Sequence, residues 1–290
     1  MRPQLIILGS AFFFGLMGLL TKLATATIPG GQAMLFRSIF VSCAILVPWI
    51  MRIIPIQFVN LQLLGVRALF GGAAATFYFL SLQHIPLGAA IVLNHTAPIF
   101  ATLYEGLFFQ ERFKKSTVIA LAVSFIGVLM IFYGDFGTLS IGYLYGLLCG
   151  VLGGGAITSI RELRKTDSTS AIVLAFSLAS ILFSLPPAIS KLGISHPLHW
   201  TAQEWLLLAS LSASGLAAQW LFTYAGKFLR ASEAGTLGIT TVVIATMLGI
   251  LFLHESFTIS FVAGAVLILG SALFLSKLFP ISGSPRIEPQ

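Results

Sequence analysis

The sequence predicts an all-α integral membrane protein: ten transmembrane helices forming two inverted-topology repeats of five. Three observations carry that reading. The first is composition, since 57% of the 290 residues are hydrophobic, 9% are charged and mean hydropathy is +0.99. Water cannot solvate such a chain. The second is a succession of apolar stretches, each near the roughly 20 residues that a hydrocarbon core of about 30 Å requires of a helix. The third is a repetition: TLYEGLFFQERF, Thr102 to Phe113, returns 144 positions later as TMLGILFLHESF, Thr246 to Phe257.

The apolar stretches place spans near 4–25, 32–54, 61–83, 86–110, 116–134, 140–161, 169–189, 203–228, 232–253 and 258–279. Turn residues or charge separate them: TIPGGQ at 27–32, HIPLG at 84–88, ERFKK at 111–115, GDFG at 134–137 and RELRKTD at 161–167. No break is long enough to hold a soluble domain. The first span has a signal-peptide look, with Arg2 before it and Ala24-Thr25-Ala26 after. Its apolar stretch is too long for that, and Lys22 interrupts the cleavage-site pattern.

Lysine and arginine set the expected orientation, because they are retained on the cytoplasmic side during insertion. With the N-terminus inside, twelve basic residues fall in cytoplasmic segments and only Lys22 and Lys191 fall outside. Both termini are therefore expected in the cytoplasm, with a tail at 281–290, and short loops favour a bacterial inner membrane. The same logic assigns the net charge of +7 to span ends, not to nucleic acid. Cys43 and Cys149 each sit in an apolar run, so neither a disulfide framework nor a metal site is expected.

At the offset of 144, residues 96–118 match 240–262 at nine of 23 positions, including Glu111/Glu255 and Phe113/Phe257. Apolar composition does not account for the paired Glu-x-Phe. The expected division is a first repeat at 1–137 and a second at 138–280. Five helices per unit is an odd number, so the second copy enters the membrane the other way up, the symmetry that underlies alternating access.

At these residues the chain resembles the drug/metabolite transporter superfamily, specifically its EamA-type members with ten spans. The resemblance covers essentially the whole chain. It is carried by Arg37, Arg67, Pro98 in PIFATLYEGLFFQERF, Glu255, Gly127 and Gly270. It implies a central cavity lined by spans 1, 3, 4, 6, 8 and 9, a small-molecule substrate, and no ATP-binding cassette. No cofactor is implied.

Helix geometry nominates the cavity residues, because i, i+4, i+7 and i+11 share a face. Asn94, Pro98, Ala101 and Glu105 form such a stripe on span 4, while Gly238, Val242, Ala245 and Gly249 form its counterpart on span 9. An amide and a carboxyl are costly in lipid and should face the interior or water. Each could meet substrate or simply bond a neighbouring helix. His95 lies about 100° around the helix from Asn94, where packing or proton transfer would use it. Glu105 could also pair with Arg67. Gln219, Thr223, Trp220 and Tyr224 offer polar and aromatic faces on span 8, and Tyr78, Thr240 and Thr241 are weaker candidates.

Arg37 and Arg67 lie near span ends, so they are expected to snorkel as structural anchors. Gly146, Gly150 and Gly154 have the spacing of close helix packing. Glu111 and Glu255 are expected to cap or pair at helix ends, with gating as a further role suggested by their symmetry.

No HExxH, GxSxG, Walker loop or GxGxxG is present, and His196 and His199 lack a third metal ligand in sequence, so an enzyme is not expected. The expected function is secondary transport of a small polar or amphipathic metabolite. Lipid translocation and a non-transporting scaffold are the alternatives. Protons are the candidate coupling ion. The solute, its direction and the oligomeric state stay open.

Overall fold

A computed structural model describes residues 3–108, 115–133, 140–191, 195–225 and 231–278. They form α1 (Pro3–Ala24), α2 (Gly30–Ile50), α3 (Leu61–His84), α4 (Leu87–Asn94), α5 (Ala97–Phe108), α6 (Lys115–Tyr133), α7 (Ile141–Thr166), α8 (Thr169–Ile189), α9 (Ala202–Ala225), α10 (Ala231–Leu253) and α11 (Ile259–Leu278). Among the described residues there is no strand. Windows long and apolar enough to cross a bilayer occur in α1, α2, α3, α7, α8 and α9. Shorter apolar helices at Leu87–Ala101, Val118–Ile131, Thr240–Leu253 and Ile259–Ser271 occupy the other four expected places. The chain is a multi-span membrane protein. Glu111 and the 281–290 tail lie outside the described residues.

Local chemistry sets the helix ends. Asn60 caps α3 by accepting from Leu63 N–H at 3.1 Å, and Ser168 caps α8 from Ala171 N–H at 3.2 Å. Thr201 and Glu204 cap α9 reciprocally: Thr201 N–H donates to Glu204 at 2.7 Å and Glu204 N–H to the Thr201 hydroxyl at 3.3 Å. Pro29 and Pro86 precede α2 and α4, where a residue without an N–H loses nothing. α2 closes with Arg52 in the left-handed region at φ 59°, and Ile53 N–H returns to the Pro48 carbonyl at 2.8 Å.

Packing runs between the two halves of the chain. α3 lies against α7 and α8, α2 against α8, α1 against α9 and α10, α5 against α7, and α6 against α11. Small residues permit these approaches in a solvent where apolar side chains gain nothing by leaving lipid. A Cβ at Gly127 would stand 2.7 Å from the Gly264 carbonyl, and one at Gly264 would stand 2.6 Å from the Gly127 carbonyl. Gly72 brings α3 equally close to the backbone of Ala179 and Ser180. Large apolar side chains such as Leu182, Phe125 and Ile259 point outward, while Ser38, Ser177, Ser180 and Ser212 are fully buried. Apolar surface outside and hydroxyls inside is what lipid demands of the chain.

At one end of the bundle Asp167, after α7, receives Val59 N–H at 2.9 Å and Asn60 N–H at 3.3 Å. This ties the α2–α3 connection to the α7–α8 connection. At the opposite end Lys22 donates to the carbonyls of Leu82 and Ile85, both at 2.9 Å, and so secures the end of α3.

Candidate functional site

The fourth expected span, 86–110, is not one helix. It is interrupted at His95-Thr96 between α4 and α5. Pro98 explains the position. It is the second residue of α5, where no intrahelical partner is expected of its nitrogen, and the Asn94 carbonyl is left without the donor a continuous helix would supply. Thr96 bridges the interruption: its hydroxyl donates to the Leu93 carbonyl at 2.7 Å, and its own carbonyl accepts from Ile99 N–H at 2.9 Å. Broken helices are tolerated at membrane depth where protein or a cavity surrounds the freed groups.

α7 provides that surrounding. Gly146 faces Leu93, Gly150 faces Thr96 and the Leu93 carbonyl, and Gly154 faces Phe100 and Ala101 N, so the glycine spacing serves close packing along the break. Asn94, the last residue of α4, is half-buried and accepts from the Cys149 thiol of α7 at 3.1 Å. Asn94 and Ala101 of the stripe therefore lie along α7, with Ala101 buried. His95 places Nδ1 2.9 Å from the Ile91 carbonyl of its own helix. The side chains of Pro98 and Glu105 lie outside the described set.

Glu255 closes the Lys22 end. It follows α10 after His254, which adopts φ 53°, and its N–H returns to the Gly249 carbonyl at 3.1 Å. This bend carries the carboxylate across to α4, where it accepts from Leu87 N–H at 2.6 Å and Gly88 N–H at 3.3 Å. A carboxylate on a helix N-terminus satisfies orphan donors and complements the helix dipole. Gly249 leaves the room: a Cβ there would lie 2.5 Å from Glu255 Oε2. Lys22, Ala26, His84, Pro86, Leu253 and Glu255 line a cavity of about 410 Å³ at this end. One acidic side chain of the second half thus caps a helix of the first.

The remaining candidates separate. Tyr78 is buried on α3, with its hydroxyl close against Gly18 of α1. Gln219, Thr223 and Thr241 are buried and Thr240 is half-buried. The Thr223 hydroxyl bonds its own helix at the Gln219 carbonyl, 2.8 Å away. Trp220 and Tyr224 stack at 5.4 Å with their planes 5° apart. Trp220 is 41% exposed and continues the outward stripe of Leu206 and Ala213, so it faces the surroundings and not the interior. Sequence alone did not reveal which face of this helix points inward.

Arg37 and Arg67 depart furthest from expectation. Neither snorkels; they are 2% and 5% exposed. Each sits about two turns into its helix, and at that depth a side chain turned inward cannot reach an interface. The Arg37 guanidinium lies 5.9 Å from the Phe79 ring and 5.8 Å from the Phe176 ring, and that of Arg67 lies 5.3 Å from Phe176.

Residues 1–133 and 140–277 match the EamA-like transporter family. The pseudopaline exporter of Pseudomonas aeruginosa is 29% identical over 269 residues, which cover 92% of this chain and 93% of that protein. An uncharacterized transporter of Bacillus subtilis is 28% identical over 292 residues, covering 98% and 94%. The riboflavin transporter of Brucella anthropi is 23% identical over 218 residues, covering 73% and 75%. A crystal structure of another protein superposes with a TM-score of 0.61 at 17% identity, covering 95% of this chain and 98% of that one, and so shares the fold.

Proposed function

Because the chain belongs to the EamA-like transporter family, we propose that it is a secondary transporter that moves a small polar or amphipathic metabolite across a bacterial inner membrane by alternating access. The observation that carries this reading is the broken α4–α5 span, with Asn94 at the interruption. Discontinuous helices supply unpaired backbone groups to a substrate midway across a bilayer. Family membership alone would give a transporter; the break gives it a place to hold something polar.

Both termini lie in the cytoplasm in this reading, so the Glu255 end faces outward and the contact of Glu255 with α4 serves as the closure of that side. The two halves, 1–137 and 138–280, exchange roles during the cycle, opening the break first to one side and then to the other. Names of relatives support a small molecule as cargo, since one exports pseudopaline and another transports riboflavin.

Asn94→Ala should reduce transport by about tenfold or more without loss of folded protein. The test is a thermal-shift screen of the purified chain against amino acids, nucleotides, S-adenosyl compounds, sugar phosphates and cationic drugs, followed by uptake of each stabilising compound into proteoliposomes. Equal uptake by Asn94→Ala would remove Asn94 from the site. No stabilisation by any compound would favour a lipid cargo. Protons are the coupling ion in this reading, with Glu105 as the group that titrates. Glu105→Gln should then flatten the pH dependence of uptake, and an unchanged profile would exclude that residue.

A further inference from the structure

Arg37 and Arg67 carry two positive charges into the bundle interior, and nothing described there answers them. Nε and Nη1 of each guanidinium are buried without a hydrogen-bond partner among the described residues. Serine hydroxyls on α2 and α8 donate to other oxygens, Ser38 to the Met34 carbonyl, Ser42 to the Ser177 hydroxyl, Ser177 to the Leu174 carbonyl and Ser180 to the Phe176 carbonyl, and none of them accepts from Nε or Nη1 of either guanidinium. The two guanidiniums instead meet one ring, that of Phe176. An aromatic face attracts a cation, yet it does not accept the N–H donors as an oxyanion does. Two like charges beside a single ring also repel each other.

Their placement is built by several helices. Arg37 is the eighth residue of α2 and Arg67 the seventh of α3. These consecutive spans run in opposite directions, so each guanidinium starts about 10 Å in from its own membrane face. Glycines make the space. A Cβ at Gly71, one turn beyond Arg67, would overlap its Nη1, and a Cβ at Gly215 of α9 would stand 2.5 Å from Arg37 Nε. Small residues on two helices thus cradle buried charges that the described residues leave unpaired. A charge kept in a low-dielectric interior at such cost calls for a counter-charge supplied from elsewhere.

We propose that Arg37 and Arg67 form an oxyanion-binding pair that receives the carboxylate or phosphate group of the transported molecule, with the Phe176 ring flanking it. The inference rests on the transporter reading and names the chemical class of its cargo. It makes the cargo an organic anion. In the conformation described the pair is sealed, and parting of α2 and α3 from α8 admits the ligand.

The test is thermal unfolding of the detergent-purified full chain at constant ionic strength. Sodium acetate supplies the smallest carboxylate, acetamide its neutral analogue, and sodium phosphate the other oxyanion. Acetate, phosphate or both should raise the wild-type melting midpoint by a few degrees, and acetamide should not. The anion that acts tells carboxylate from phosphate cargo. Arg37→Met and Arg67→Met should lose that shift while melting no lower than wild type without ligand, because each removes an uncompensated buried charge. Arg37→Lys keeps charge but not the planar donor array, and should weaken half-saturation by about tenfold. No shift with either anion overturns the proposal, as does an equal shift in the methionine variants. Methionine variants that melt well below wild type in the absence of ligand would make the pair a structural element and also overturn it. Proteoliposome uptake of a neutral compound, alongside a failed anion shift, would end this proposal and leave the transporter reading standing.

Discussion

Glu255→Ala should let a thiol reagent reach Cys149 about ten to a hundred times faster than in the parent chain. Cys149 is the natural reporter, because it is buried on α7 beside Asn94 at the helix break, and Cys43, which is exposed, can be replaced by serine to silence it. The alanine variant removes the acceptor of the Leu87 and Gly88 amides. A hydrogen bond to a charged group contributes about 1.5 to 3 kcal/mol, and every 1.4 kcal/mol or so changes a two-state population tenfold. Counting only the short 2.6 Å bond in full, since that at 3.3 Å is weak, gives the expected range. Glu255→Gln retains an acceptor without the charge and should fall between. Labelling of Cys149 at the parental rate in both variants would show that the cap does not hold this end shut.

Gly150→Val should yield little folded protein, whereas Gly270→Ala should be close to neutral. A Cβ at Gly150 would overlap the Thr96 hydroxyl and stand 2.8 Å from the Leu93 carbonyl, both part of the interruption in span 4. Neither can retreat, since the Thr96 hydroxyl is bonded to that carbonyl. Overpacking costs about 1 to 3 kcal/mol where neighbours can shift, and more where backbone must move. A Cβ added at Gly270 would meet no atom within 4 Å, because this glycine opens onto an apolar groove with Ile119, Val123 and Phe274. Size-exclusion profiles and melting midpoints of the two detergent-extracted variants give the comparison. Equal yields and midpoints would mean that α7 does not press on the break.

The spans were legible because a bilayer imposes one length and one polarity on every helix that crosses it, and α6, α8 and α10 begin and end within two residues of where the pattern puts them. The break in span 4 was less so. Pro98 stood inside a stripe drawn along one continuous span, whereas the helix parts two residues before it and proline becomes a harmless early residue of α5. Glu255 was legible as a helix-end residue through its repetition of Glu111, while its partner, an amide pair 168 positions away, could not be read from local pattern. Arg37 and Arg67 were misjudged because distance along a helix gives depth in the membrane but not the direction a side chain faces. Asp167 stood in a polar break with nothing to mark it, although Asp-Ser-Thr ahead of an apolar run is the signature of a capped connection.

The pairing of helices across the two halves has a consequence for how the protein is made. α1, α2, α3, α5 and α6 each find their principal neighbours among α7 to α11. The first half must therefore leave the ribosome and enter the bilayer before the surfaces it is shaped to meet exist. Until α7 to α9 arrive, the unpaired guanidiniums of Arg37 and Arg67 and the backbone groups of the Thr96 interruption are borne by an assembly with no finished interior. Tertiary assembly of the first half therefore waits on the second, and truncation before α11 leaves α6 without its mate.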